Sequence, residues 1–317
     1  MAHLLAFAAA ALILGQAPAR YWCPMHPDVR ADERIACVRC GMTLAPIDAS
    51  AFDENGLEID VSRGRTPGVV ALSIRVLDGD ETVRDFEIVH ERPFHLFVVS
   101  RDLSHFDHVH PEPGADGVFG MDLRVPRPGV YRLVGDFYPK GGVPQTVQRT
   151  IVTPGFDGPL LPAATPLEPD AREKTVSGLH VALEGEPLVV GRETDLSFAV
   201  VDAASGERVT DLEPFLGAPG HLLVMSADLA DAIHSHPDTQ TGTLPPGGAP
   251  SPQPLVPSRI IFQVRFPRPT HYRMWLQVQR RGVVVTVPFT VSVSEPGVEG
   301  RAKLERQAGS RASSSSP

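Results

Sequence analysis

Cysteine is scarce in this chain and badly distributed for a disulfide framework: there are three, all between Cys23 and Cys40, and none in the remaining 277 residues. A secreted fold stapled by disulfides spreads an even number of cysteines along its length, so an odd, clustered set points to ligands rather than staples. Clustered positive charge is also missing. A formal charge of −9 argues against nucleic acid as the partner, because phosphate binding needs grouped Lys and Arg. No apolar run beyond the first residues is long enough to span a bilayer, so no membrane span is expected in the mature chain. There is no G-x-S-x-G elbow, no H-E-x-x-H and no phosphate-binding glycine loop, and the chain reads as non-enzymatic.

Helix formers arranged with helical periodicity are absent outside the first residues. Pro (32) and Gly (28) make up about a fifth of the chain, which favours short strands joined by turns. Residues 1–19 carry an apolar stretch, Leu4 to Leu14, followed by Ala17-Pro18-Ala19. That is the layout of a cleaved export signal, so a periplasmic or secreted location is expected; an uncleaved anchor is the alternative. Next come a cysteine module (20–46), a strand-rich segment (56–153), a Pro-rich linker (154–173), a second strand-rich segment (174–293), and a Ser-rich tail (297–317) expected to be disordered.

The two strand-rich segments are copies of each other. His95 to Pro111 aligns without gaps on His221 to Pro237, with nine of seventeen positions identical, and Val125-Pro-Arg-Pro-Gly-Val-Tyr-Arg132 matches Phe266-Pro-Arg-Pro-Thr-His-Tyr-Arg273. Apolar and polar residues alternate with period two, as in Phe119, Met121, Leu123 and Val125. The expected fold is mainly β: a small metal-binding module followed by two tandem antiparallel β-sandwich domains, immunoglobulin- or cupredoxin-like.

The module has the pattern Cys23-Pro-Met-His26, a gap of ten residues, then Cys37-Val-Arg-Cys40-Gly-Met42. Two ligands three positions apart in a tight turn grip one ion from the same side, and a second such pair completes a tetrahedron. Met25 and Met42 widen the choice of metal from Zn²⁺ toward Cu(I). The competing reading is a Cys37–Cys40 disulfide. Tyr21-Trp-Cys-Pro-Met-His-Pro27 with Cys37-Val-Arg-Cys40-Gly-Met-Thr-Leu44 resembles the small heavy-metal-binding module of bacterial metal-efflux proteins. Such modules accompany copper-transporting P-type ATPases and the periplasmic adaptors of heavy-metal efflux pumps. The resemblance covers about a twelfth of the chain and implies metal at Cys23, His26, Cys37 and Cys40. Val38 departs from it, since the family usually has proline there, and the transport function does not carry over.

Each repeat also carries one histidine followed thirteen and fifteen residues later by a His-x-His pair: His95, His108 and His110, then His221, His234 and His236. Alternate residues on a strand share a face, so each pair can converge on one point and the lone histidine can add a third nitrogen. Three imidazoles suit Cu(II), Zn²⁺ or Ni²⁺. No cysteine lies near them, which excludes a blue-copper centre. His90, His180 and His271 have no histidine counterparts and read as structural or surface residues. The expectation is a non-catalytic copper- or zinc-class metal-binding protein for buffering, delivery or efflux support. The alternative is an accessory protein whose sandwiches dock a partner, such as a metal-efflux or metal-transport protein, with only the module touching metal.

Overall fold

The computed structural model describes residues 20–23, 29–38, 42–47, 54–160, 166–237 and 256–297. The expected export signal, most of the tail, and the expected ligands His26 and Cys40 lie outside the described residues. All regular structure among the described residues is β, and no helix there is long and apolar enough to cross a membrane.

The module forms a three-stranded sheet from β1 (Tyr21–Trp22), β2 (Arg30–Ala31) and β3 (Ala45–Pro46), in the order β2-β1-β3. The first repeat contains β4 (Gly56–Arg63), β5 (Val69–Asp78), β6 (Glu81–Thr82), β7 (Phe94–Ser100), β8 (Phe106–Val109), β9 (Phe119–Arg124), β10 (Val130–Phe137) and β11 (Gln145–Val152). One sheet is built on β4-β5-β9 with β6 at its edge, and the other runs β11-β10-β7-β8. The second repeat contains β12 (Glu173–Val176), β13 (Leu179–Glu184), β14 (Leu188–Val189), β15 (Glu193–Asp202), β16 (Leu212–Glu213), β17 (His221–Ser226), β18 (Ala232–Ser235), β19 (Arg259–Arg265), β20 (His271–Arg280) and β21 (Val283–Ser294). Its sheets run β12-β13-β15-β19 and β14-β21-β20-β17-β18. The two repeats are tandem antiparallel β-sandwiches of the same plan.

Each sandwich has its own core. Leu72, Ile74, Leu96, Val98 and Leu133 fill the first, and Val181, Phe198, Leu222, Val224 and Leu276 the second. In β7 the even residues therefore point inward, and His95, Phe97 and Val99 point out of the sandwich. Yet all seven residues of β7 are buried, as are all six of β17. The outward face is covered by the other repeat. Phe97, Val99, Leu103 and Val134 pack against Leu223, Met225, Leu229 and Trp275, and the Phe106 and Trp275 rings stack at 4.9 Å. The equivalent sheets of the two sandwiches thus lie outer face to outer face.

The copied block owes much of its identity to one structural latch. Ser100 Oγ donates to Asp102, Arg127 pairs with Asp102, and Tyr131 Oη donates to the Arg127 carbonyl at 2.7 Å. Ser226, Asp228, Arg268 and Tyr272 repeat this arrangement. A tyrosine hydroxyl returned to a carbonyl four residues upstream is a known way of pinning a sandwich corner.

The seam makes Trp275 a joint member of both halves. Trp275→Ala is expected to cost about 3–5 kcal/mol and to split a single denaturant transition into two. An unchanged midpoint would show that the repeats are not coupled through this face.

Candidate metal centre

The outward face of β7 and β8 carries polar groups at one end. Strand pairing places His108 opposite Phe97 and Asp136 opposite His95, so His95, His108 and Asp136 share that face with the apolar seam. In the second repeat the same register gathers His221, His234 and Gln277. Asp136 and Gln277 are equivalent positions, both following the Pro-Arg-Pro block by the same interval. The sheets meet reciprocally. His108 Nδ1 lies 2.7 Å from Gln277 Oε1 of the other repeat, and His234 Nδ1 lies 2.5 Å from Asp136 Oδ2.

Those bonds fix the tautomers. A carbonyl or carboxylate oxygen can only accept, so the nitrogen facing it carries the proton. His95 Nε2 donates to the Val89 carbonyl at 3.0 Å, which leaves Nδ1 as a lone pair. Gln277 Nε2 donates to Thr286 Oγ1 at 3.2 Å, which orients its amide so that Oε1 accepts from His108 Nδ1. His108 Nε2 is therefore also a lone pair. These two acceptor nitrogens face each other at 3.1 Å, with His110 Nε2 a further 3.0 Å from His108 Nε2. No neutral tautomer places a proton between His95 and His108. The second triad is related but not identical. His221 Nε2 donates to the Phe215 carbonyl at 2.9 Å, its Nδ1 faces His236 Nε2 at 2.9 Å, and His234 Nε2 is buried with no hydrogen-bond partner. An orphaned buried nitrogen of this kind demands an explanation.

Within each triad the ligand nitrogens lie within 4.8 Å of one another. The edge of a tetrahedron around a Zn–N bond of 2.0–2.1 Å is about 3.3 Å, close to the separations at His95, His108 and His110. The triads are adjacent: His108 and His221 ring centres are 5.4 Å apart, and His95 and His234 are 5.8 Å apart. Proton binding here is disfavoured. Burial, followed by repulsion from neighbouring imidazoles, holds His95 at about 4 and His110 at about 3, against an ordinary 6.5. The same causes push His108, His221 and His236 well below the ordinary value. Burial alone would raise Asp136, but the hydrogen bond from His234 outweighs it and holds the carboxyl below its usual range. His95, His108, His110, His221 and His236 are thus held as neutral imidazoles near an ionised carboxylate, the state in which nitrogen binds metal.

Sequence reasoning missed three members. His90, read as structural or surface, lies in the centre: its ring sits 3.7 Å from that of His236, and burial lowers it to about 3. Its counterpart is Leu216, so the repeat gave no signal, although both residues adopt φ of 49° in the same turn. That turn also holds Glu91 and Gly217 at φ of 66° and 69°, and it aims the Val89 and Phe215 carbonyls at the lone histidines. Asp136 and Gln277 were visible only as polar residues recurring at one position of an apolar strand. His105 and Asp231, equivalent positions of the copied block that both carry ligand-type side chains, are elsewhere: His105 pairs with Asp107, and Asp231 with Arg268 and Tyr272.

In the module, Cys23 and Cys37 are both buried beside Leu44, and neither forms a disulfide with another described cysteine. The module docks on the first repeat through an Arg34–Glu87 ion pair at 3.1 Å and a Tyr138 Oη bond to the Thr43 carbonyl. A cavity of about 200 Å³ lies at the junction, with Met42 and Arg92 on its wall together with His95, Asp136, His234 and His236.

The depressed histidines make the metal-free chain acid-labile. An unfolded histidine binds a proton near pH 6.5, whereas folded His95 resists it down to about 4. The unfolded state therefore holds more protons between those values. Stability is full above about 6.5 and is lost as pH falls toward 4, by roughly 3 kcal/mol for His95 alone. Denaturant midpoints measured from pH 7.5 to 4 should fall steeply in this window; a flat profile would contradict the burial of neutral imidazoles.

Among solved structures, a two fibronectin type-III domain segment from chicken tenascin matches at 10% identity with a TM-score of 0.22, covering 75% of this chain and 99% of that one. The BSP domain of a biofilm-associated protein matches at 10% identity and 0.19, covering 75% of this chain and 30% of that one. No curated protein matches. One family model matches twice, over residues 50–155 and 174–295, and neither range includes the cysteine module. Since these two ranges take in most of the chain, it belongs to the family described as Domain of unknown function (DUF8832), and carries that domain in tandem.

Proposed function

We propose that this is a non-catalytic metal-binding protein that holds two copper- or zinc-class ions between its repeats, one per histidine triad, and serves in buffering, delivery or efflux support. The observation that carries this reading is the lone-pair contact between His95 Nδ1 and His108 Nε2, mirrored by the orphaned His234 Nε2. A cation shared by such nitrogens turns repulsion into ligation. The second nitrogen of four of these rings donates to Val89, Phe215, Gln277 or Asp136, which is how ligating histidines are held in orientation. Neutral imidazole accepts Zn²⁺, Cu and Ni²⁺, so the donor set defines a class rather than one element.

The cysteine module adds a further ion in this reading, held by Cys23, His26, Cys37 and Cys40, in keeping with its resemblance to heavy-metal-binding modules and with an exported location. Purified full chain should then bind three ions. Replacing His108, His110, His234 and His236 by alanine should leave one. An unchanged ion count in that variant would favour the accessory reading, in which the sandwiches dock a partner and the histidines are structural.

The two triads should differ in strength. Asp136 gives His234 an ionised acceptor, whereas His108 has only the Gln277 amide. A carboxylate behind a ligating imidazole raises its basicity, so Asp136→Asn should weaken one of the two ions by about 10–100-fold and leave the other unchanged. Equal weakening of both ions, or of neither, in a competition titration with a chromophoric chelator would contradict this assignment.

A further inference from the structure

We infer that the module and the histidine centre form one metal-transfer unit, in which the Met42 thioether passes a soft monovalent ion from the cysteine side into the cavity beside the triads. This inference rests on the proposed reading of the triads as metal ligands and adds a route and an ion class to it.

Three observations place Met42 between the two sites. Its carbonyl accepts the Cys37 N–H at 2.7 Å, so it sits directly against the thiol-bearing segment. It is half-buried in an apolar patch with Trp22, Ala45, Tyr138 and Val89, which is the surface by which the module docks on the first repeat. It also lines the cavity whose other walls include His95, His234 and His236. The docking is specific rather than greasy alone: beside the Arg34–Glu87 pair, Arg34 lies over the Tyr138 ring at 5.8 Å, and Thr43 Oγ1 reaches Glu87 at 3.4 Å. A fixed junction keeps Met42 facing the cavity.

The chemistry of the side chain suits a passing ligand. A thioether is a soft, neutral, weak donor on a chain with three rotatable bonds, able to take an ion from thiolate and release it to imidazole. Leucine would pack the same wall equally well and has no donor. Cu(I) satisfies all three environments without a change of oxidation state, so the transfer needs neither oxidant nor reductant. Zn²⁺, which has little affinity for thioether, gains nothing from Met42.

The experiment uses the full chain, metal-free and anaerobic, mixed with three equivalents of Cu(I), enough to fill every site whatever their relative affinities. Thiolate–copper absorbance reports the module, and imidazole proton signals report the centre. In the native chain thiolate absorbance should rise first, with the imidazole signals following. Met42→Leu should slow the imidazole phase by roughly tenfold or more while leaving the final ion count unchanged. Filling by Zn²⁺ should proceed at the same rate in both chains. An unchanged Cu(I) rate in the variant overturns the relay and leaves the centre intact. Equal slowing of Cu(I) and Zn²⁺ also overturns it, because Met42 would then be only part of the wall. Failure of the native centre to take up any ion overturns both the relay and the reading beneath it.

Discussion

The packing of two equivalent sheets, outer face against outer face, is the constraint on which the rest of this molecule depends. A lone sandwich turns the outer faces of its sheets to water, and there a polar side chain finds hydrogen-bond partners without help. Here β7 and β17 are buried on both faces, so every polar group on the seam must be satisfied by protein. The apolar half of the seam does so by carrying almost only hydrocarbon side-chain surface. The histidine half does so by exchange: His108 uses Gln277 of the second repeat, and His234 uses Asp136 of the first. Neither repeat completes its own triad's surroundings. The domain arrangement and the candidate site are therefore one structural fact, and the site's remaining unsatisfied nitrogens are the observation on which the proposed cations rest.

Duplication explains why there are two triads, and the breaks in symmetry suggest that they are not alike. Both breaks fall on the same side. Asp136 stands where the second repeat has Gln277, and it supports His234; His90 stands where the second repeat has Leu216, and its ring lies against His236. The triad of the second repeat thus gains an ionised carboxylate and an additional imidazole, both contributed by the first repeat. Two neighbouring cations repel, so an adjacent pair of sites benefits from one with the stronger electrostatic support. The same side of the centre faces the cavity at the module, which includes Asp136, His234 and His236 in its wall.

How much of this was legible in the sequence depended on whether a feature was copied. The sandwiches were readable from period-two patterning and from the repeat itself. The triads were readable because histidines recurred at fixed spacing, yet six other identical positions competed with them for an explanation. Ser100, Asp102 and Leu103 with their copies belong to the turn and latch, and Leu96 and Val98 to the core, which leaves Pro111 and the histidines as the identical positions outside both. What was not read was the meeting of the triads. Its trace lay in the unbroken apolar runs Leu96 to Val99 and Leu222 to Met225, since a strand with one solvated face alternates and one covered on both sides does not. His90 left no trace because it is present once.

The central claim is that these nitrogens surround cations rather than merely one another. Anomalous diffraction from crystals of the full chain grown with Zn²⁺, recorded on either side of the zinc absorption edge, tests it most directly. The account predicts two peaks in the seam, one about 2 Å from His95 Nδ1, His108 Nε2 and His110 Nε2, the other equally placed among His221, His234 and His236. A well-ordered seam with no anomalous density between the imidazoles would contradict it.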